Sequence, residues 1–186
     1  MTVQEVFARA VHLFGQTVHA VGDDQWGNHT PCAEWDVRAL VNHLVYEVSW
    51  VAPLLAGMTI AQVGDHFDGD LLGDDPRAAW DRAAADAIEA ASAHDADARV
   101  TVSSGEIPAS QYLGQVFTDV VIHRWDLARG IGADDTIDPA HATAIYRQMK
   151  PMEDQMRTWG SYGDPIEAQE DADMQTRLLA LFGRVQ

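Results

Sequence analysis

Two residues of the segment 115–130, QVFTDVVIHRWDLARG, are spaced for shared work: Asp119 and His123 stand four apart. On an α-helix, positions i and i+4 lie one above the other, so a carboxylate and an imidazole placed there reach the same point. Such a pair is half of a divalent-metal site, since zinc and its first-row neighbours accept imidazole nitrogen and carboxylate oxygen. It is equally the pattern of an exposed ion pair, because Gln115, Asp119, Asp126 and Arg129 can share one flank of the helix. Spacing alone leaves both readings open.

A metal inside a helical bundle draws ligands from facing helices. His43 is the best placed third ligand, lying mid-helix beside the apolar positions Val37, Leu40, Val41, Leu44, Val48, Val51 and Leu55. A core-edge histidine bonded to a backbone carbonyl fits the same position. Glu47, one turn after His43, is placed to bond a ligand from outside, to accept a proton, or simply to face solvent. Asp126 is placed to orient the His123 ring or to pair with Arg129. His12 and His19 fall on the polar face of the first helix, and His66, His94 and His141 lie in a loop or near helix ends. Cys32 is one thiol with no base in its local sequence, which favours a structural cysteine over a nucleophile. There is no glycine-rich phosphate loop and no paired CxxC. Tyr46, Trp50 and Trp125 read as core rather than as a substrate cage.

The elements that must position these groups follow from apolar periodicity. A first helix is expected over 3–21, with Val3, Phe7, Ala10, Phe14, Val18 and Val21 as its stripe. A second starts at Trp35 or Asp36, kinks or loses regularity at Pro53 and ends near Gly57. A glycine- and aspartate-rich connection, a possible flap, covers 58–75. A third helix follows Asp74 or Asp75, with Pro76 in its first turn, and runs to about His94. The segment 99–108, RVTVSSGEIP, carries the one β-like alternation; as a single short strand it is expected to be extended loop. The fourth helix is expected over 110–128, ended by Gly130 and Gly132. A fifth opens at Asp138 and Pro139 with a kink at Pro151, 159–171 is loop, and a short last helix covers 172–182. The pattern predicts an all-α antiparallel four-helix bundle with short additional C-terminal helices, one domain over 1–186.

With 186 residues, 47% hydrophobic, the chain is long enough to bury a core. A formal net charge of −17 repels phosphate backbones and anionic lipid surfaces, which argues against nucleic-acid and membrane partners. No apolar run approaches the roughly 20 residues of a membrane span. The single cysteine fits a reducing compartment, and the N-terminus lacks the pattern of a signal peptide, so a cytoplasmic location is expected.

Three segments together carry a resemblance: TPCAEWDVRALVNHL (30–44), DVVIHRWDLARG (119–130) and DADMQTRLLALFGR (171–184). In that order they resemble the actinobacterial metal-binding proteins related to mycothiol-dependent maleylpyruvate isomerase, within the DinB-like superfamily. The resemblance implies a four-helix bundle holding a divalent metal, zinc foremost with nickel admissible. It implies His43, Asp119 and His123 as ligands, aspartate standing where the isomerase itself has glutamate. It further implies a mycothiol-dependent transferase or isomerase acting on a small electrophilic substrate, monomeric or homodimeric. A non-catalytic, metal-stabilised binding protein is the alternative.

Overall fold

The computed structural model describes the chain from Met1 to Gln186 apart from Glu34, 160–162 and Glu170. It forms two compact units, Met1–Asp134 and Asp135–Gln186.

In the first unit, α1 (Val3–His19) opens on a capping box: the Thr2 hydroxyl accepts from the Glu5 amide, and the Glu5 carboxylate accepts from the Thr2 amide. Caps of this kind contribute about 1 kcal/mol. Phe7, Ala10, Phe14 and Val18 are buried as the stripe predicts, while His12 and His19 are exposed. Helix α2 (Val37–Ser49) is capped by Asp36, whose carboxylate accepts from the Ala39 amide at 2.8 Å. The regular helix stops at Trp50 and resumes as α3 (Val51–Leu55). Pro53 explains the break, because it has no N–H for the Ser49 carbonyl and its ring crowds that oxygen.

The connection to the third long helix contains one turn, α4 (Ile60–Val63). It is tied to α2: the Asn42 amide donates to the Gly69 carbonyl and accepts from the Leu71 N–H, and Arg38 pairs with Asp70 and donates to the Gly73 carbonyl. Helix α5 (Pro76–Ala93) begins under Asp75, which caps the Ala78 amide, with Pro76 as its first residue. Its buried alanines and Trp80 face the core. The Trp80 ring lies 4.5 Å from that of Phe14 and directly over Gly15, where a Cβ would come within 2.7 Å of Nε1.

The segment 99–108 is not loop. Strand β1 (Arg99–Val102) pairs antiparallel with β2 (Gly105–Pro108), in register from Arg99 opposite Pro108 to Val102 opposite Gly105. The alternation was too short to imply a sheet, but the chain doubles back at Ser103 and Ser104 and supplies its own partner. Helix α6 (Ala109–Ile131) is longer than expected at its C-terminus. Gly132, at φ +69°, ends it in the left-handed region. Gly130 stays helical; its bare Cα lets the preceding loop approach, since a Cβ there would sit 3.2 Å from the His29 carbonyl oxygen. Helix α1 packs on α5 and α6, and α2 packs on the same two, so the four long helices form a closed ring in the order α1, α5, α2, α6.

The second unit contains α7 (Pro139–Met149), a 3-10 turn Lys150–Met152 around Pro151, α8 (Glu153–Trp159) and α9 (Met174–Leu181). Helices α7 and α9 pack together, and the Gln175 side chain ties α9 back to the Ile137 amide and Asp135 carbonyl. The expected loop over 159–171 includes 160–162 and 170, which lie outside the described residues. The fold is the expected all-α bundle with extra C-terminal helices, apart from one small hairpin among the described residues. Among the described residues, no helix is long and apolar enough to cross a membrane.

Candidate metal centre

Helix α6 turns a broad apolar surface inward, and the polar residues that share it must find partners. Asp119 and His123 face α2 across the bundle, where His43 emerges between Leu40 and Leu44. His43 Nε2 lies 3.0 Å from Asp119 Oδ2, and His123 Nε2 lies 3.5 Å from Asp119 Oδ1. One donor atom from each of the three falls within 4.8 Å of those of the other two. One carboxylate thus faces two imidazoles, of which His43 comes from a helix 76 residues earlier in the chain than Asp119.

Burial decides against the exposed-pair reading. Asp119 is 14% exposed and His43 24%, while His123 is 3% exposed and Asp126 not at all. Asp126 Oδ2 lies 3.0 Å from His123 Nδ1. Leaving a buried carboxylate unpaired costs several kcal/mol, so this bond holds the ring as firmly as the ring holds the carboxylate. With Nδ1 turned to Asp126, Nε2 faces Asp119. That is the arrangement in which a carboxylate fixes the orientation and basicity of a ligating histidine.

Glu47 is half-buried, and its carboxyl is pushed above the usual carboxylate range. Burial is the main cause and the Asp119 charge the next, with His43 and His123 pulling the other way. His43 is itself raised. Burial lowers it, but its bond to Asp119, the Asp119 charge and that of Glu47 together outweigh this. The phenol of Tyr112 is pushed up by burial, then by Glu47 and Tyr46. A carboxyl whose pKa is shifted upward therefore sits within electrostatic reach of the cluster and of the Tyr112 phenol.

Two residues near the site are not marked by sequence spacing. The Trp35 ring stacks obliquely on His43, centroids 4.4 Å apart, and lies 5.5 Å from the His123 ring, so it walls both imidazoles. It had been legible only as a helix-start residue. Cys32 brings Sγ within 4.8 Å of a ring nitrogen of His123 and a carboxylate oxygen of Asp126. Its neighbours come from a helix some ninety residues on, which is why its local sequence shows no base. The remaining six histidines stand elsewhere: His12 is exposed, His19 pairs with Asp81 at the surface, His29 is exposed and its backbone bridges to Asp36, His66 lies edge-on to Phe67, His94 caps α5 and His141 belongs to α7. Trp125 is core, as expected.

The first unit is thus a four-helix bundle in which two histidines and a carboxylate converge from facing helices. The chain belongs to the mycothiol maleylpyruvate isomerase N-terminal domain family, whose model matches residues 7–128. Two uncharacterized proteins, from two strains of Mycobacterium tuberculosis, are each 32% identical over 132 residues, covering 70% of this chain and 68% of theirs. The crystal structure of a histidine-to-alanine mutant of mycothiol-dependent maleylpyruvate isomerase shares the fold, with a TM-score of 0.65 at 16% identity. That match covers 83% of this chain and 72% of the other.

Proposed function

We propose that this protein binds a divalent metal, zinc foremost and nickel admissible, through His43, Asp119 and His123, and uses it in thiol-dependent transfer or isomerisation of a small electrophile. The thiol is mycothiol or a close relative, as the family's name suggests. The observation that carries the reading is the convergence of the three donors from α2 and α6 within 4.8 Å.

The donor set fits the ion. Two neutral imidazoles and one carboxylate leave a net positive centre, and three protein ligands are the number typical of catalytic zinc sites. When bound, such an ion lowers the pKa of a thiol brought beside it, so that the nucleophile is available near neutral pH. The chain's own groups do the rest. Asp126 keeps the His123 Nδ1 proton and so aims Nε2 into the site. Trp35 covers the two rings and excludes water from that side. Glu47, with its raised affinity for protons, receives the proton that the incoming thiol gives up.

The test is turnover of model electrophiles with mycothiol, with and without a chelator, alongside metal analysis of protein purified without a histidine tag. Expected are about one ion per chain at this site and turnover that is lost on chelation and restored by zinc. His123→Ala is expected to fold yet lose the ion. Retention of metal at wild-type stoichiometry by His123→Ala overturns the ligand assignment. An ion that stays bound while no electrophile turns over favours a non-catalytic, metal-stabilised binding protein.

A further inference from the structure

The His123 ring has two ends, and both are furnished. Nε2 faces Asp119 at 3.5 Å, whereas Nδ1 faces Asp126 at 3.0 Å. A third donor is close to both residues: Cys32 Sγ, a His123 ring nitrogen and an Asp126 oxygen all lie within 4.8 Å of one another. We propose that Cys32, His123 and Asp126 form a second cation position, distinct from the His43 cluster, which takes a borderline-to-soft ion such as Zn2+, Co2+ or Cd2+ on a thiolate.

Three observations support it. The donors come from different elements, a loop and a helix, and His123 and Asp126 are held by surrounding core. The Thr30 hydroxyl donates to the Trp35 carbonyl at 2.8 Å and accepts from the Cys32 amide, and the Trp35 amide donates to the Cys32 carbonyl. Gly130 admits this loop against α6 by offering no Cβ. The donor types also differ in kind from those of the first cluster. Thiolate, imidazole and carboxylate select softer ions than two imidazoles and a carboxylate do.

Binding replaces protons by the ion. The thiol proton leaves to solvent and the ring proton moves from Nδ1 to Nε2, so the sulfur and Nδ1 lone pairs go to the cation on a neutral imidazole, and nothing is oxidised or reduced. Filling both positions further requires the remaining ring proton to leave to solvent, making His123 an imidazolate. With the second empty, Asp126 keeps the Nδ1 proton.

The experiment is a Co2+ titration of the full-length, tag-free, reduced and chelator-stripped protein, followed in the near ultraviolet. Cobalt on a thiolate gives an intense charge-transfer band there that imidazole and carboxylate ligands do not. A band saturating at about one thiolate-bound ion per chain is expected, together with a fall of tenfold or more in the rate of Cys32 alkylation by iodoacetamide. Cys32→Ser, checked for folding by circular dichroism, is expected to lose the band and one bound ion while keeping visible cobalt absorption from the first site. His43→Ala is expected to keep the band. No band and no protection in wild-type protein with a reduced thiol overturns the proposal. Loss of the band in His43→Ala refutes a separate position, whereas an intact band with no visible absorption from the first cluster counts against the first site alone.

Discussion

Replacing Asp126 by Asn in a Cys32→Ser background, which lacks the thiolate of the second position, isolates what one buried carboxylate does for the histidine beside it. The change keeps shape and leaves an oxygen able to accept from His123 Nδ1, but removes the charge 3.0 Å from the ring. Without that charge Nε2 becomes a poorer donor, and loss of such outer partners typically costs 10–100-fold in metal affinity, or about 1.4–2.7 kcal/mol. The effect can be read twice. In a zinc competition against a chromophoric chelator, Kd is expected to rise by that factor. In thermal unfolding, an ion at a hundred times the Kd of the Cys32→Ser parent stabilises by about 2.7 kcal/mol; the same concentration gives the double variant only about 0.4–1.4 kcal/mol. At roughly 2–4 °C per kcal/mol for a chain of this size, the parent gains about 5–11 °C on loading and the double variant about 1–6 °C. Should Asp126→Asn bind zinc with unchanged Kd while His123→Ala loses it, the carboxylate serves packing alone and the orienting role is refuted.

Other outcomes follow from the same geometry. Trp35→Ala uncovers both imidazoles; removal of a half-buried indole is expected to cost about 2 kcal/mol in denaturant unfolding, and metal dissociation should become faster in stopped-flow chelation. Gly15→Ala sets a Cβ 2.7 Å from Trp80 Nε1. The helix-propensity gain of about 1 kcal/mol is smaller than the 1–3 kcal/mol typical of overpacking, so the variant should melt lower than wild type. Acidity should act in opposite senses on empty and loaded protein. His43 is raised above its ordinary 6.5, so in empty protein its contribution to stability is fully present below that value and lost as pH rises through its higher folded value. The ion needs the neutral ring, so zinc-induced stabilisation should grow as pH rises through the same interval; a pH-independent gain in melting temperature would contradict this.

The helices were legible wherever one apolar stripe faced one core, as in α1, and wherever a cap and a proline marked a start, as at Asp75 and Pro76. Pro53 and Pro151 likewise announced their breaks. Missing from the sequence was anything set by a distant partner. The hairpin over 99–108 needed a second strand that looked like loop, and Gly130 read as a stop when its bare Cα serves a close approach. The spacing of Asp119 and His123 showed that they share a face. That the face is buried depends on α2, and with it the choice between surface pair and central cluster. Trp35 and Cys32 gave no periodic signal, because they reach the histidines from an irregular loop.

The grip of Asp119 on two rings has a practical corollary. His43 and His123 are already drawn together by that carboxylate, and their helices are packed by Leu40, Leu44, Val120 and other core residues. The three side chains are therefore already gathered without an ion, by the His43–Asp119 hydrogen bond and the 3.5 Å contact of His123 with the same carboxylate. Stripping and refilling ought to be reversible and to leave the backbone in register, so occupancy will be read from elemental content and spectroscopy, while the outline of the molecule stays the same.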